Sequence, residues 1–264
     1  MATYLLTKEV WNARAGLIAA IFMSITPGYT QRSVAGSFDN EGIAIFVLQM
    51  SFYAWLKASH LGSISWSIFT AMLYLYMTSA WGGYVFIINM IALHTLVLIL
   101  SNKYNERLYV AYTTVYCLGQ LMAMSVPFVG FQPVTTSEHM PALGVFALIQ
   151  CVAIHQQISI SIEPRKRRQL YAVLIIFGAV VGTVIMVTLV SLGYIAPFSG
   201  RFYSLWDTQY ARIHLPLISS VQEHQPTPWA NYFGDLHALP MFALVGLWYI
   251  FLVSISLQNI ISAI

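Results

Sequence analysis

Apolar runs of membrane-crossing length recur from one end of the chain to the other. A bilayer's hydrocarbon is spanned by a helix of about 20 mainly apolar residues. Eight candidate runs occur: Val10 to Pro27, Ile43 to Leu56, Ser63 to Ser79, Val85 to Leu100, Leu108 to Val126, Ala142 to Ile160, Leu170 to Ile195 and Leu239 to Ile260. The second and fourth are short and need flanking Trp, Tyr or Lys to reach the interfaces, whereas the last two are long enough to tilt. Only 8% of the 264 residues are charged, against about 25% in a soluble domain. So few ionisable side chains cannot solvate a globule of this size, which excludes disorder, nucleic-acid binding and a cytosolic enzyme fold. Backbone amides in hydrocarbon must pair within the protein, and no ten-residue alternation marks a barrel. The sequence predicts an all-α, polytopic helical membrane protein of about eight transmembrane helices.

Eight crossings alternate sides, and the charges test that alternation. Lys8, Arg14, Lys57, Lys103, Arg107, Arg165, Lys166, Arg167 and Arg168 fall on one side, nine of the twelve basic residues. Arg32, Arg201 and Arg212 fall on the other, so the positive-inside rule puts the first side in the cytosol. The basic run after Glu163 and Pro164 then serves as a topology anchor. Asp39, Glu41, Glu138, Asp207, Glu223 and Asp235, six of nine acids, lie on the outer side. An outer loop over 196–237 is far longer than the others and is expected to be functional or partly folded on the membrane surface. Pro27, Gly28 and Tyr29 read as a turn and not as a signal-cleavage site. Cys117 and Cys151 sit within spans, as do His94 and His155, for which bonding to a neighbouring helix is the expected role.

Two outer segments concentrate residues that make poor structural filler. In the acidic loop 28–42, Asp39 and Glu41 alternate, so an extended turn aims both in one direction while a helix splays them by about 200°. Such a pair suits a hard divalent cation, Mg²⁺ or Mn²⁺, completed by water and phosphate. Equally, Asp39 can simply cap a helix beginning near Glu41, where acids favour the positive dipole end. In the second segment, Glu223 stands beside His224 and ahead of Pro226 and Pro228; its plainer reading is a surface carboxylate paired with Arg201 or Arg212. Between the two, Gly82 and Gly83 permit close approach of a helix or ligand. Trp81 and Tyr84 beside them have the amphipathic character of interface aromatics.

Three stretches, S-V-A-G-S-F-D-N-E-G-I-A-I-F from Ser33, S-A-W-G-G-Y-V-F-I-I-N from Ser79 and S-V-Q-E-H-Q-P-T from Ser220, together closely resemble the catalytic subunit of eukaryotic oligosaccharyltransferase. The likeness runs over essentially the whole chain. It implies transfer of an oligosaccharide from a dolichyl diphosphate carrier to the asparagine of Asn-X-Ser/Thr sequons, in the endoplasmic reticulum membrane with the acidic motifs lumenal. It further implies Mn²⁺ or Mg²⁺ as cofactor, an acceptor polypeptide and other transferase subunits as partners, membrane lipid as solvent, and no nucleic acid. Asp39 and Glu41 resemble the family's second metal-binding acidic motif, and Arg32 the catalytic arginine before it. Glu223 resembles the glutamate of an S-V-S-E motif that contacts the acceptor amide, although Gln222 replaces the serine. Trp81 and Tyr84 lie where relatives approach the lipid-linked donor.

Family members also carry a first acidic motif ahead of the position matching residue 1, and a lumenal sequon-binding domain with W-W-D-Y-G beyond that matching residue 264. The resemblance thus makes 1–264 a partial transmembrane glycosyltransferase domain. A competing expectation is a truncated, non-catalytic paralogue that assembles with or regulates other subunits. A transporter ranks behind both, because transporters bury ionisable groups near the midplane and, His94 apart, these spans hold almost none. The purified chain, given lipid-linked oligosaccharide, Mn²⁺ and a sequon peptide, is expected to form no glycopeptide; detectable product would refute this.

Overall fold

A computed structural model of the chain describes the backbone of residues 1–31, 33–37, 39–159, 164–195, 207, 209–214 and 227–263. Helices α1 Ala2–Val10, α2 Ala13–Ile25 and α3 Pro27–Gln31 lead into α4 Asn40–Leu61, followed by α5 Ile64–Ala80, α6 Tyr84–Leu100 and α7 Glu106–Met124. After these come α8 Gln132–Thr135, a 3-10 turn Ser137–His139, α9 Met140–Ser159, α10 Pro164–Ser191, α11 Tyr210–His214, α12 Trp229–Leu236 and α13 Leu239–Ala263. No β-strand occurs among the described residues. Each of the eight apolar runs overlaps a main helix, α2, α4 to α7, α9, α10 and α13, although the first, Val10 to Pro27, overruns α2 at both ends into α1 and α3.

Among the described residues, two helices are long and apolar enough to cross a membrane on their own, Asn40–Leu61 and Ser137–Gln157. A third candidate joins α12 to Leu239–Leu252 across an 89° bend. Ala13–Ile25 and Tyr84–Leu100 are apolar but shorter. The run expected over Ile43 to Leu56 extends at both ends into a helix of 22 residues, because each end carries its own stop signal. Asp39 is extended, with φ −129° and ψ 166°, and its carboxylate accepts from the Asn40 amide. At the other end Gly62 turns left-handed, at φ 66°, while its amide donates to the Ala58 carbonyl at 2.8 Å. A residue without a Cβ takes that conformation at least cost.

The core lies among α4, α5, α6, α7 and α9. α4 buries Gly42, Ala44, Ser51, Ala54 and Ala58, and α7 buries Ala111, Gly119 and Ala123. Small residues let helix backbones approach closely where lipid supplies no hydrophobic drive for association. Hydroxyls in this interior bond back to their own helices: Ser51 to the Val47 carbonyl at 2.8 Å, Thr70 to Trp66 at 2.9 Å and Thr78 to Tyr74 at 2.8 Å. His94 receives the Trp55 indole N–H at 3.0 Å, joining α4 to α6 as expected of an intramembrane histidine.

Basic groups gather at the C-terminal end of α4. Glu9 on α1 pairs with Lys57 at 2.7 Å and lies 3.4 Å from His60. Burial works to raise the Glu9 carboxyl, but hydrogen bonds from Lys57 and His60, with their charges, outweigh it and hold it below its ordinary value. Arg107 at the start of α7 donates to the His60 carbonyl at 3.2 Å. Its Cγ lies 2.8 Å from where a Cβ on Gly62 would stand. Gly62→Ala is therefore expected to destabilise the protein by about 1–2 kcal/mol from the left-handed backbone alone. Thermal unfolding in detergent measures it as a lowered Tm, with Ala58→Gly as the helix-weakening reference.

Candidate functional site

At the opposite end of α4 the chain presents acids. Asp39 Oδ1 accepts from the Asn40 amide at 2.6 Å, and the Asp39 carbonyl accepts from the Gly42 amide at 3.1 Å. Asp39 itself is thus extended while Glu41 already occupies the helix's first turn. The pair straddles a boundary between two backbone conformations, and the capping reading describes what Asp39 does. Both carboxylates also lie at the positive end of the helix dipole.

Two further elements close on this helix start. The Tyr29 hydroxyl on α3 donates to the Gly42 carbonyl at 3.3 Å. One residue earlier, a Cβ on Gly28 would lie 3.2 Å from the Asp235 carbonyl oxygen, so α12 rests directly against α3. Residues 27–29, read from sequence as a turn, form the first turn of α3, with proline at the position where a missing N–H costs nothing. The long outer loop is partly folded, as α11 and α12, and its last helix returns to the neighbourhood of the acidic loop. Sequence reading did not foresee Gly28 and Tyr29 as the joint between them. The only cue is that Gly28 and Tyr29 open the acidic loop, directly after Pro27.

Trp81 follows the last residue of α5 with an extended backbone, and its amide donates to the Met77 carbonyl at 2.9 Å. The indole is 41% exposed and folds over Gly83. Tyr84 begins α6 and is 5% exposed. Its ring lies 6.0 Å from that of Tyr74, edge-on, and 5.6 Å from the His139 imidazole. Trp81 therefore offers a surface, while Tyr84 supports it from within the bundle.

Arg32 and Glu223, the two residues assigned catalytic roles by resemblance, lie outside the described residues. Among the described residues no group of three or more His, Cys, Asp or Glu side chains is close enough to hold a metal ion. Asp39 and Glu41 supply hard oxygen donors of the type Mg²⁺ and Mn²⁺ prefer, and such ions commonly take only one or two protein carboxylates beside water and phosphate.

The fold and this end define a helical membrane protein whose carboxylates collect at one end of the bundle and whose basic groups collect at the other. The family model described as "Oligosaccharyl transferase STT3, N-terminal" matches residues 1–263, and the chain belongs to that family. It is 58% identical over 253 residues to the dolichyl-diphosphooligosaccharide–protein glycosyltransferase subunit of Caenorhabditis elegans, covering 94% of this chain and 33% of the relative. Identity to the Schizosaccharomyces pombe subunit is 51%, over 95% of this chain and 33% of that protein. Identity to the Saccharomyces cerevisiae subunit is 50%, over 95% and 35%. The chain spans about a third of the length of the curated relatives it matches.

A methyl group at Gly83 would overlap the six-membered ring of Trp81. Gly83→Ala is expected to swing the indole away from its seat while leaving the buried Trp55 in place. Fluorine NMR on 5-fluorotryptophan protein reads this out as a shift of the Trp81 resonance, assigned through Trp81→Phe. An unchanged Trp81 resonance would contradict the contact.

Proposed function

We propose that this chain carries the membrane-embedded part of an oligosaccharyltransferase catalytic subunit. In this reading it sits in the endoplasmic reticulum membrane, crosses about eight times, and turns its acidic end to the lumen. There it helps transfer an oligosaccharide from dolichyl diphosphate to the asparagine of an Asn-X-Ser/Thr sequon, alongside other transferase subunits. The observation that carries the reading is the start of α4, where Asp39 caps the helix, Glu41 stands in its first turn and the Gly42 carbonyl accepts from Tyr29 of α3, the helix on which α12 rests.

An asparagine carboxamide nitrogen is a weak nucleophile because its lone pair is delocalised into the carbonyl. Bonds from its N–H groups to carboxylates weaken that conjugation, and Glu223 is the group assigned to accept them. The sugar's bond to the diphosphate oxygen breaks as its bond to nitrogen forms, the diphosphate leaves with the bonding pair, and the nitrogen passes a proton to the carboxylate that accepts its hydrogen bond. Arg32, seven residues ahead of Asp39 in the sequence, offsets carboxylate repulsion. Asp39 and Glu41 would hold Mn²⁺ or Mg²⁺, which as a Lewis acid spreads the charge developing on phosphate oxygens. Trp81 offers an aromatic surface to the lipid-linked donor.

The bond from the Asn40 amide to Asp39 favours a second reading in which the acid acts only as a helix cap. Asp39→Asn separates the two, because asparagine caps as well as aspartate but is a poor ligand for a hard cation. With the protein in its assembled transferase, sequon-peptide glycosylation by this variant is expected to fall at least about tenfold, or about 1.4 kcal/mol of transition-state stabilisation. Its Tm should stay at the wild-type value. Retained activity would leave the capping role alone.

A further inference from the structure

Near the acidic end of the bundle, five side-chain polar atoms are buried with no hydrogen-bond partner among the described residues: Tyr74 Oη, Asn89 Oδ1, Gln120 Nε2 and Oε1, and His139 Nε2. The Tyr74, Gln120 and His139 side chains are themselves nearly sealed, at 0%, 5% and 2% exposed. Intervening residues link the four. The Tyr84 ring stands between Tyr74 and His139. Asn89 Nδ2 donates to the Glu138 carbonyl at 2.8 Å, next to His139. On α7, a Cβ on Gly119 would lie 3.1 Å from Tyr74 Cδ1, and Gln120 follows it on the same buried face. Tyr74, Asn89 and Gln120 lie four to six residues from the ends of their helices at this side, which at 1.5 Å rise per residue is within about 10 Å of it.

The proton positions can be worked out. The Thr136 hydroxyl gives its one proton to the Gln132 carbonyl at 2.9 Å. Its oxygen must therefore accept from His139 Nδ1, 2.7 Å away, which leaves Nε2 of the neutral imidazole as a bare acceptor. Asn89 must present its nitrogen to the Glu138 carbonyl, so Oδ1 is likewise an acceptor without a donor. Gln120 lacks partners for both its N–H groups and its carbonyl, and Tyr74 for its hydroxyl. The set contains both donors and acceptors and none of the four side chains is charged. It therefore calls for a neutral molecule that donates and accepts in several directions.

We propose that Tyr74, Asn89, Gln120 and His139 enclose an internal hydration site, a small group of water molecules held between α5, α6, α7 and the Ser137–His139 turn behind Tyr84. Buried waters in proteins typically make about three hydrogen bonds to groups that otherwise go unsatisfied, and this cluster supplies such groups from four directions. An ion is disfavoured because no opposite charge faces it from these side chains. The water would also support the Tyr84 ring from behind.

Hydroxyl-radical labelling generated by X-rays tests the proposal, because bound water produces the radical in place and marks side chains that bulk solvent does not reach. The intact protein in lipid nanodiscs supplies its own control. Tyr112 is as buried as Tyr74, but its hydroxyl is bonded to the Ala142 carbonyl at 2.8 Å. Tyr74 and His139 are expected to label several-fold faster than Tyr112, and Gln120→Leu should lower the Tyr74 rate while leaving Tyr112 unchanged. Equal wild-type rates at Tyr74 and Tyr112 would overturn the proposal whether or not the variant assembles. So would a Tyr74 rate that Gln120→Leu leaves untouched.

Discussion

Hydrocarbon offers no hydrogen-bond partner, so each polar group within a membrane bundle must be matched inside the protein. This requirement fixes how the helices meet. Trp55 to His94 ties α4 to α6, Tyr109 to Gln150 at 2.8 Å and Tyr112 to the Ala142 carbonyl tie α7 to α9, and Asn89 ties α6 to the turn before α9. Thr3 and Gln49, 2.5 Å apart, hold α1 along α4. Each bond joins one position on a helix to one on its neighbour, and sliding by a turn would break it. The small residues on α4 and α7 allow the close approach, and the hydrogen bonds select the register. Polar groups are thus few in this core but specify it strongly.

α4 carries that order from one end of the bundle to the other. Its 22 residues make a rod of about 33 Å, close to the thickness of a bilayer's hydrocarbon. An acid caps its first turn, while Lys57 and His60 near its last turn meet Glu9. Both placements agree with the helix dipole, which favours negative charge at the N-terminus and positive charge at the C-terminus. The charge asymmetry that the sequence suggests across the membrane is therefore reproduced along a single helix. The same rod sets the separation between the basic anchor and the acidic end.

Apolar length made the helices legible from sequence, and each of the eight runs overlaps one. Boundaries were less legible, because helix ends are polar and a hydropathy reading stops short of them: α4 gains Asn40 to Gly42 at one end and Lys57 to Leu61 at the other. α1 escaped notice because nine residues containing Thr, Lys and Glu do not stand out as apolar. At the acidic end, Asp39 and Glu41 were visible as an alternating pair, and the cap was one of the two roles their spacing allowed. The contacts of Tyr29 with Gly42, and of Gly28 with Asp235, were not visible. They join segments that are distant in the chain and leave no periodic trace. The same holds for Tyr74, Asn89, Gln120 and His139, whose neighbours are contributed by three other elements.

Capping and ligation at Asp39 need not compete. The Asn40 amide uses one lone pair of Oδ1, and a carboxylate offers about four such sites across its two oxygens. That bond costs the group little of its capacity and removes its rotational freedom. Because Asp39 is extended where Glu41 is helical, the divergence expected of i and i+2 side chains within one helix does not apply to them. Their relative direction depends instead on the boundary. The positive end of the α4 dipole moderates their repulsion before any cation arrives. A helix start that fixes one carboxylate by a backbone bond and places the other in the first turn has the preorganisation that ligand binding rewards. On the proposed reading, the structural role of Asp39 would be a precondition for the chemical one, and a substitution that moved the cap would also re-aim Glu41.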